Sequence, residues 1–211
     1  MYARSTSFQA RAGTIDEGIA EVRNRVMPAA MALEGCVGLS MICDRESGLC
    51  VTTSAWTTRK ALDQSGQSML AHLQHGSEIF GSAPSFDLWE IAIVHRHGVS
   101  GQGARVRCTW LNLDPAELSH SFETYRLVML PAFDDMQGFC SAGLMVDPAT
   151  GRAVSSVTFA SQELMVASRP ATERLRSRTA EDVGNTVADI EEFELVLAHL
   201  HVPETVRPRY S

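Results

Sequence analysis

The chain has 211 residues, 18 Lys and Arg against 25 Asp and Glu, a formal net charge of -7, and 45% hydrophobic and 20% charged side chains. These are the proportions of a globular protein and exclude extended disorder, and the acidic balance speaks against nucleic acid or anionic membrane as general partners. No apolar run reaches the roughly 20 residues that cross a bilayer, and Met1 to Ser5 opens no apolar signal core, so a cytoplasmic protein is expected.

Tyr2 to Phe8 alternates as a strand should. Thr14 to Leu33 carries Ile15, Ile19, Val22, Val26 and Ala30 on one helical face, with Asp16 and Glu17 at its start and Pro28 late enough to kink it. Cys36 to Cys43 and Leu49 to Trp56 flank a turn-rich Asp44-Arg45-Glu46-Ser47-Gly48 and read as a hairpin. A helical stretch follows from Thr58 to Phe80, and Trp89 to His95 is a last strand. Gly98 to Gly103 is glycine-rich and reads as a linker. The order then recurs: strand Arg105 to Leu111, a helix opened by Asp114 and Pro115, a hairpin of Phe139 to Val146 and Arg152 to Phe159, a helix from Ser161 to Asp182, and a strand from Val187 to His199. The five cysteines lack a C-x-x-C spacing and read as buried free thiols, with a Cys43–Cys50 bridge conceivable across the first hairpin.

The recurrence extends to residues. A shift of 103 places Arg4 on Arg107, Thr6 on Thr109, Arg23 on Arg126, Pro28-Ala29 on Pro131-Ala132, Asp44 on Asp147 and Ser65 on Ser168. One further residue of shift matches Trp89-Glu90-Ile91 with Phe193-Glu194-Leu195 and His95 with His199. The division expected is residues 1–97 and 105–201 as two repeats, 98–104 as linker and 202–211 as an exposed tail. A β-α-β-β-α-β unit leaves one sheet face bare, so two such units are expected to pack sheet to sheet.

The Met27-Pro28 and Leu130-Pro131 steps, the hairpin entries Gly35-Cys36-Val37-Gly38 and Gly138-Phe139-Cys140-Ser141, and the hairpin ends Ser54-Ala55-Trp56 and Val157-Thr158-Phe159 resemble the dimeric α+β barrel superfamily. Within it the chain is most similar to antibiotic biosynthesis monooxygenase-like domains, twice over. The resemblance implies an α+β fold of two ferredoxin-like repeats forming an intramolecular barrel. It also implies oxygenation of an aromatic or polyketide-like molecule without a cofactor. The alternative is a non-catalytic barrel that binds a small hydrophobic or aromatic ligand, with haem binding or degradation third. A homodimer of the fused barrel stays open. Many such domains place a His early in the second helix, where this chain has Ala61-Leu62-Asp63-Gln64-Ser65.

Strand parity supplies candidate ligand contacts. Trp89, Ile91, Ile93 and His95 share one face of their strand and Glu90 lies on the other; Phe193, Leu195, Leu197 and His199 oppose Glu194 in the same way. The bulky faces should lie under the helices, and Glu90 and Glu194 should then look into the barrel beside Arg4 and Arg107. Such pairs would hold a polar ligand edge, although a plain structural ion pair is the simpler reading. Trp56, Phe159, Trp110 and Tyr125 offer faces to a planar ligand, or core. Asn112 would orient a carbonyl, or sit idle in its loop. His72 and His75 share a helix face, and His95-Arg96-His97 and His199-Leu200-His201 end two strands, but no set of three or four spaced ligands is evident, so no metal is expected. No hydrolase, P-loop or dinucleotide motif is present, and catalytic residues stay unassigned.

Overall fold

The computed structural model describes residues 1–205, the side chains of residues 180–183 excepted. The chain divides into two compact units, one of Met1–Trp89 with Glu194–Val202, the other of Glu90–Phe193 with the segment from Pro203.

In the first unit β1 (Tyr2–Gln9) runs antiparallel to β3 (Leu49–Trp56), which runs antiparallel to β2 (Cys36–Cys43). The hairpin turns on Asp44, whose carboxylate accepts the N–H groups of Glu46 and Ser47 at 2.9 and 3.1 Å, and on Gly48 at φ +82°. A Cβ there would stand 2.7 Å from the Ala10 carbonyl, so only glycine fits both the conformation and the contact. The free edge of β2 takes Glu194 to Leu200 of β8 (Thr186–Leu200). Helix α1 (Ile15–Glu21) passes through a π-helical turn (Val22–Val26) into α2 (Met27–Met31). The turn sits just before Pro28, which has no N–H to give and whose ring crowds the preceding carbonyls. After the hairpin, Thr58 caps α3 (Arg59–Ser68) by accepting the Ala61 N–H at 3.1 Å, and α4 (Leu70–Phe80) ends on Gly81 in the left-handed conformation. Ile15, Ile19 and Val22 of the helix pack with Phe8, Leu39, Met41 and Phe80 to form the core.

The second unit repeats this plan. β5 (Arg105–Asn112) pairs with β7 (Arg152–Phe159), β7 with β6 (Phe139–Val146), and β6 with Glu90 to Arg96 of β4 (Ser85–Arg96). Asp114 caps a short 3-10 turn (Pro115–Glu117) that leads into α5 (Leu118–Thr124), a π-helical turn (Tyr125–Met129) and α6 (Leu130–Asp134). Helices α7 (Gln162–Ala167) and α8 (Arg169–Val183) follow the hairpin. Its core joins Ile93, Tyr125, Leu130, Phe133, Phe139, Leu144 and Met165. The hydrogen-bonded strand order, β1-β3-β2-β8-β5-β7-β6-β4, is a closed antiparallel one, and the fold class is α+β with two ferredoxin-like units.

Both hairpins fall where the sequence puts them. Each long helix is instead broken, α3 from α4 at Met69 and α7 from α8 at Ser168, and β4 and β8 start earlier and end later than expected. Parity along both long strands is also corrected. A register shift falls between Ile91 and Ile93 of β4, and another on β8 between the partners of Met41 and Ile42. A bulge adds one residue and exchanges the faces beyond it. At the start of the tail Pro203, Glu204 and Thr205 are exposed; Thr205 exchanges hydrogen bonds with the Val94 backbone, and Glu204 accepts the Arg96 N–H at 3.0 Å. The rest of the expected tail, residues 206–211, lies outside the described residues. All five cysteines are free; Cys43 and Cys50 stand directly opposite each other, both buried, and the hydrogen bond with Cys50, then burial, pushes the Cys43 thiol far up.

Candidate functional site

Each unit holds one arginine of its first strand against the helix that follows its hairpin. Arg4 donates from Nη1 to Ser65 Oγ at 3.0 Å and from Nη2 to the Leu62 carbonyl at 2.8 Å. Arg107 donates from Nη1 to Ser168 Oγ at 2.9 Å and from Nη2 to the Met165 carbonyl at 2.6 Å. These partners are equivalent under the same shift of 103. Both arginines therefore turn toward the helices of their own unit, not toward the face on which the sequence reading places them.

The second arginine carries more. Its Nε donates to Glu192 Oε1 at 2.9 Å, Nη1 also donates to Thr172 Oγ1 at 3.1 Å, and the guanidinium lies 5.7 Å from the centre of the Phe159 ring. Glu192 also binds Arg169, and hydrogen bonds from Arg169 and then Arg107 hold its carboxyl below the usual value of 4.5 against burial. In the first unit Leu88 and Met69 occupy the positions of Glu192 and Thr172, so Arg4 has neither partner.

Arg107 also lines a cavity of about 70 Å³ between the sheet and the helices of the second unit. Thr109 and Leu111 of β5 and Ser155 and Val157 of β7 form its floor. Ser121, Thr124, Tyr125 and Met129 close one side, and Thr172, Arg176 and Thr179 of α8 the other, with Asn185 and Val187 beyond. The π-helical turn begins at Tyr125, whose hydroxyl lies 2.8 Å from Ser155 Oγ, and burial pushes its pKa up, so the phenol keeps its proton and can donate it in a hydrogen bond. Burial and then the like charge of Arg107 lower the pKa of Arg176, with Glu173 opposing in part. Among the described residues, no hydrogen bond or ion pair holds the Arg176 guanidinium. The cavity thus has one arginine with a carboxylate bonded to it and a second with none bonded to it among the described residues.

The same space in the first unit is filled. Phe8 and Phe80 stack with centroids 4.7 Å apart. Phe80 reaches in because residue 18 is glycine: a Cβ there would stand 2.1 Å from its ring, and a Cβ on Gly76 would stand 3.2 Å from Phe8. The second unit has Leu111, Ser121 and Thr179 in place of Phe8, Gly18 and Gly76.

Of the residues singled out from sequence, Arg107 and Tyr125 line this cavity and Arg4, Glu90, Glu194, Trp56, Trp110, Phe159 and Asn112 do not. The expected Arg4–Glu90 and Arg107–Glu194 pairs are not formed. Glu90 is exposed; Glu194 accepts from Arg45, which also binds Asp16; and Glu192, two residues earlier on β8, takes the place beside Arg107. Trp56 and Phe159 are core, Trp56 donating to Ser54 Oγ at 3.0 Å, and Asn112 is exposed. Trp110 donates to Glu191 at 2.9 Å. Sequence reasoning missed Ser155, Thr172 and Arg176; the pairing of Ser65 with Ser168 was the available signal for the helix carrying two of them. Among the described residues, no group of three or more His, Cys, Asp or Glu is placed to hold a metal ion, and no helix is long and apolar enough to cross a membrane.

No family model matches the chain. It is 45% identical over 207 residues to the uncharacterized protein Rv2558 of Mycobacterium tuberculosis, covering 98% of this chain and 88% of that one, and 43% identical over 206 residues to Rv2557 of the same organism, covering 98% and 92%. Among solved structures it is similar to an anthrone oxidase-like protein (TM-score 0.64, 11% identity, 92% and 90% of the two chains). It is also similar to a Listeria monocytogenes ferredoxin-fold protein related to antibiotic biosynthesis monooxygenases (0.51, 8%, 92% and 95%), and to a heme-degrading enzyme of that species (0.52, 9%, 92% and 98%). At such identities the likeness establishes the fold alone.

Proposed function

Because the chain belongs to the family of the Mycobacterium tuberculosis proteins Rv2558 and Rv2557 and has the ferredoxin-like fold of antibiotic biosynthesis monooxygenases, we propose that its second repeat binds a small organic anion between sheet and helices. The observation that carries this reading is Arg176, a cavity-lining cation with no counter-charge bonded to it among the described residues. A carboxylate or enolate supplies that charge, the Tyr125 hydroxyl and the threonines supply donors, and Leu111, Met129 and Val187 receive the carbon skeleton. A cavity of about 70 Å³ takes a compact ligand or the charged head of a longer one; drug-sized sites run to roughly 300–1,000 Å³. The proposal retains the division into repeats 1–97 and 105–201 joined by 98–104.

A second reading, cofactor-independent oxygenation of an aromatic or polyketide-like substrate, draws on the same geometry. Arg176 and the protonated Tyr125 would stabilise an enolate, and such a carbanion can itself reduce oxygen. Haem has no part in either reading, since among the described residues no histidine lines the cavity.

Ligand-observed NMR with acetate, benzoate and acetylacetone tests the first reading: saturation transfer from the protein to at least one anion is expected, and its absence for all three at millimolar concentration would refute it. Oxygen uptake with acetylacetone and hydroxylated anthrones separates the second: turnover supports catalysis, and binding without uptake leaves a binding protein.

A further inference from the structure

Both repeats end their last strand with His-x-His, and the two pairs differ in what holds them. His95 Nε2 and His97 Nδ1 both bond Asp134 Oδ1, at 2.8 and 3.1 Å. The residue at the position of Asp134 in the first repeat is Met31, so the equivalent pair has no such carboxylate. His199 and His201, both exposed, instead turn their Nε2 atoms to one another at 3.4 Å, with the rings nearly perpendicular and 4.5 Å apart. The backbone is fixed there: the His201 N–H donates to the Val37 carbonyl at 2.9 Å, and His199 is paired with Leu39.

We propose that His199 and His201 form a two-imidazole site for a borderline divalent cation of the zinc class. The separation is long for a nitrogen–nitrogen hydrogen bond, which is usually near 3 Å. It matches two nitrogens on one tetrahedral ion: at Zn–N distances of about 2.0–2.1 Å they stand about 3.3–3.4 Å apart. Neutral imidazole suits zinc, copper and nickel, and spares calcium and magnesium, which take oxygen. With no third His, Cys, Asp or Glu grouped with them among the described residues, solvent or a small anion completes the shell. The site is open, and its ion is exchangeable.

The test is calorimetric titration of the tag-free full chain with zinc chloride, alongside histidine-resolved NMR. One ion per chain is expected, with resonance shifts confined to His199 and His201. Affinity should fall on the order of tenfold or more in His199→Ala and in His201→Ala, and be unchanged in His72→Ala. Equal affinity in the double variant His199→Ala/His201→Ala, or no uptake at millimolar zinc, would overturn the proposal.

Discussion

The space between sheet and helices is built twice in this chain and used differently each time. In the first repeat two phenylalanines fill it, admitted by glycines at 18 and 76. In the second, Leu111, Ser121 and Thr179 stand at the matching positions, and a cavity with two arginines lies there. The backbone plan and the arginine clamp are common to both, so the difference lies in a few side-chain volumes. Duplication lets one repeat fill this space with core while the other keeps room for a ligand.

The largest expected effects break the parts that differ. Phe80→Ala should cost about 3–5 kcal/mol in urea unfolding, since it empties the plugged repeat. Glu192→Ala should cost a similar amount, roughly 3–5 kcal/mol, because it strands a buried Arg107 whose side chain is 4% exposed. A loss below about 1 kcal/mol in either would show that the plug or the ion pair is not what supports its repeat.

Matched substitutions at one repeat position sharpen the contrast. Gly18→Ser must displace the Phe80 ring and should cost about 1–3 kcal/mol despite the better helix former. Ser121→Gly removes nothing from a packed ring and should cost about 1 kcal/mol, the helix penalty of glycine. Equal costs at the two positions would erase the distinction.

Acid should act through Glu192. Its folded pKa lies below 4.5, so its contribution is complete above that value and is lost as the pH falls through the folded one. Unfolding free energy of the native chain should therefore drop more steeply below the ordinary glutamate range than that of Glu192→Gln. Parallel curves would assign acid sensitivity to other carboxylates.

Much of this was legible in the sequence. The hairpins were marked by Asp44 to Gly48 and Asp147 to Gly151, whose side chains and glycine conformations build the turns locally. Pro28 and Pro131 marked irregular helix, though not its π form. Arg4 and Arg107 stood out because the repeat preserved them. What failed was parity along β4 and β8, because a bulge is one unpaired residue that composition does not announce, and the register that sets Glu192 rather than Glu194 beside Arg107, which is fixed by pairing between distant strands. The cavity was also hidden, because it depends on which side chains from distant segments meet, as Phe80 meets Gly18.

The smallest expected effect on stability belongs to the residue with the largest expected effect on binding. Arg176→Gln removes a cation that bonds nothing in the described protein and should change unfolding free energy by no more than about 0.5 kcal/mol. Titration of benzoate into the native chain, Arg176→Gln and Arg4→Gln, followed by NMR, is the most direct test. Binding should be retained in Arg4→Gln and lost in Arg176→Gln; equal binding by all three chains would contradict an anion site confined to the second repeat.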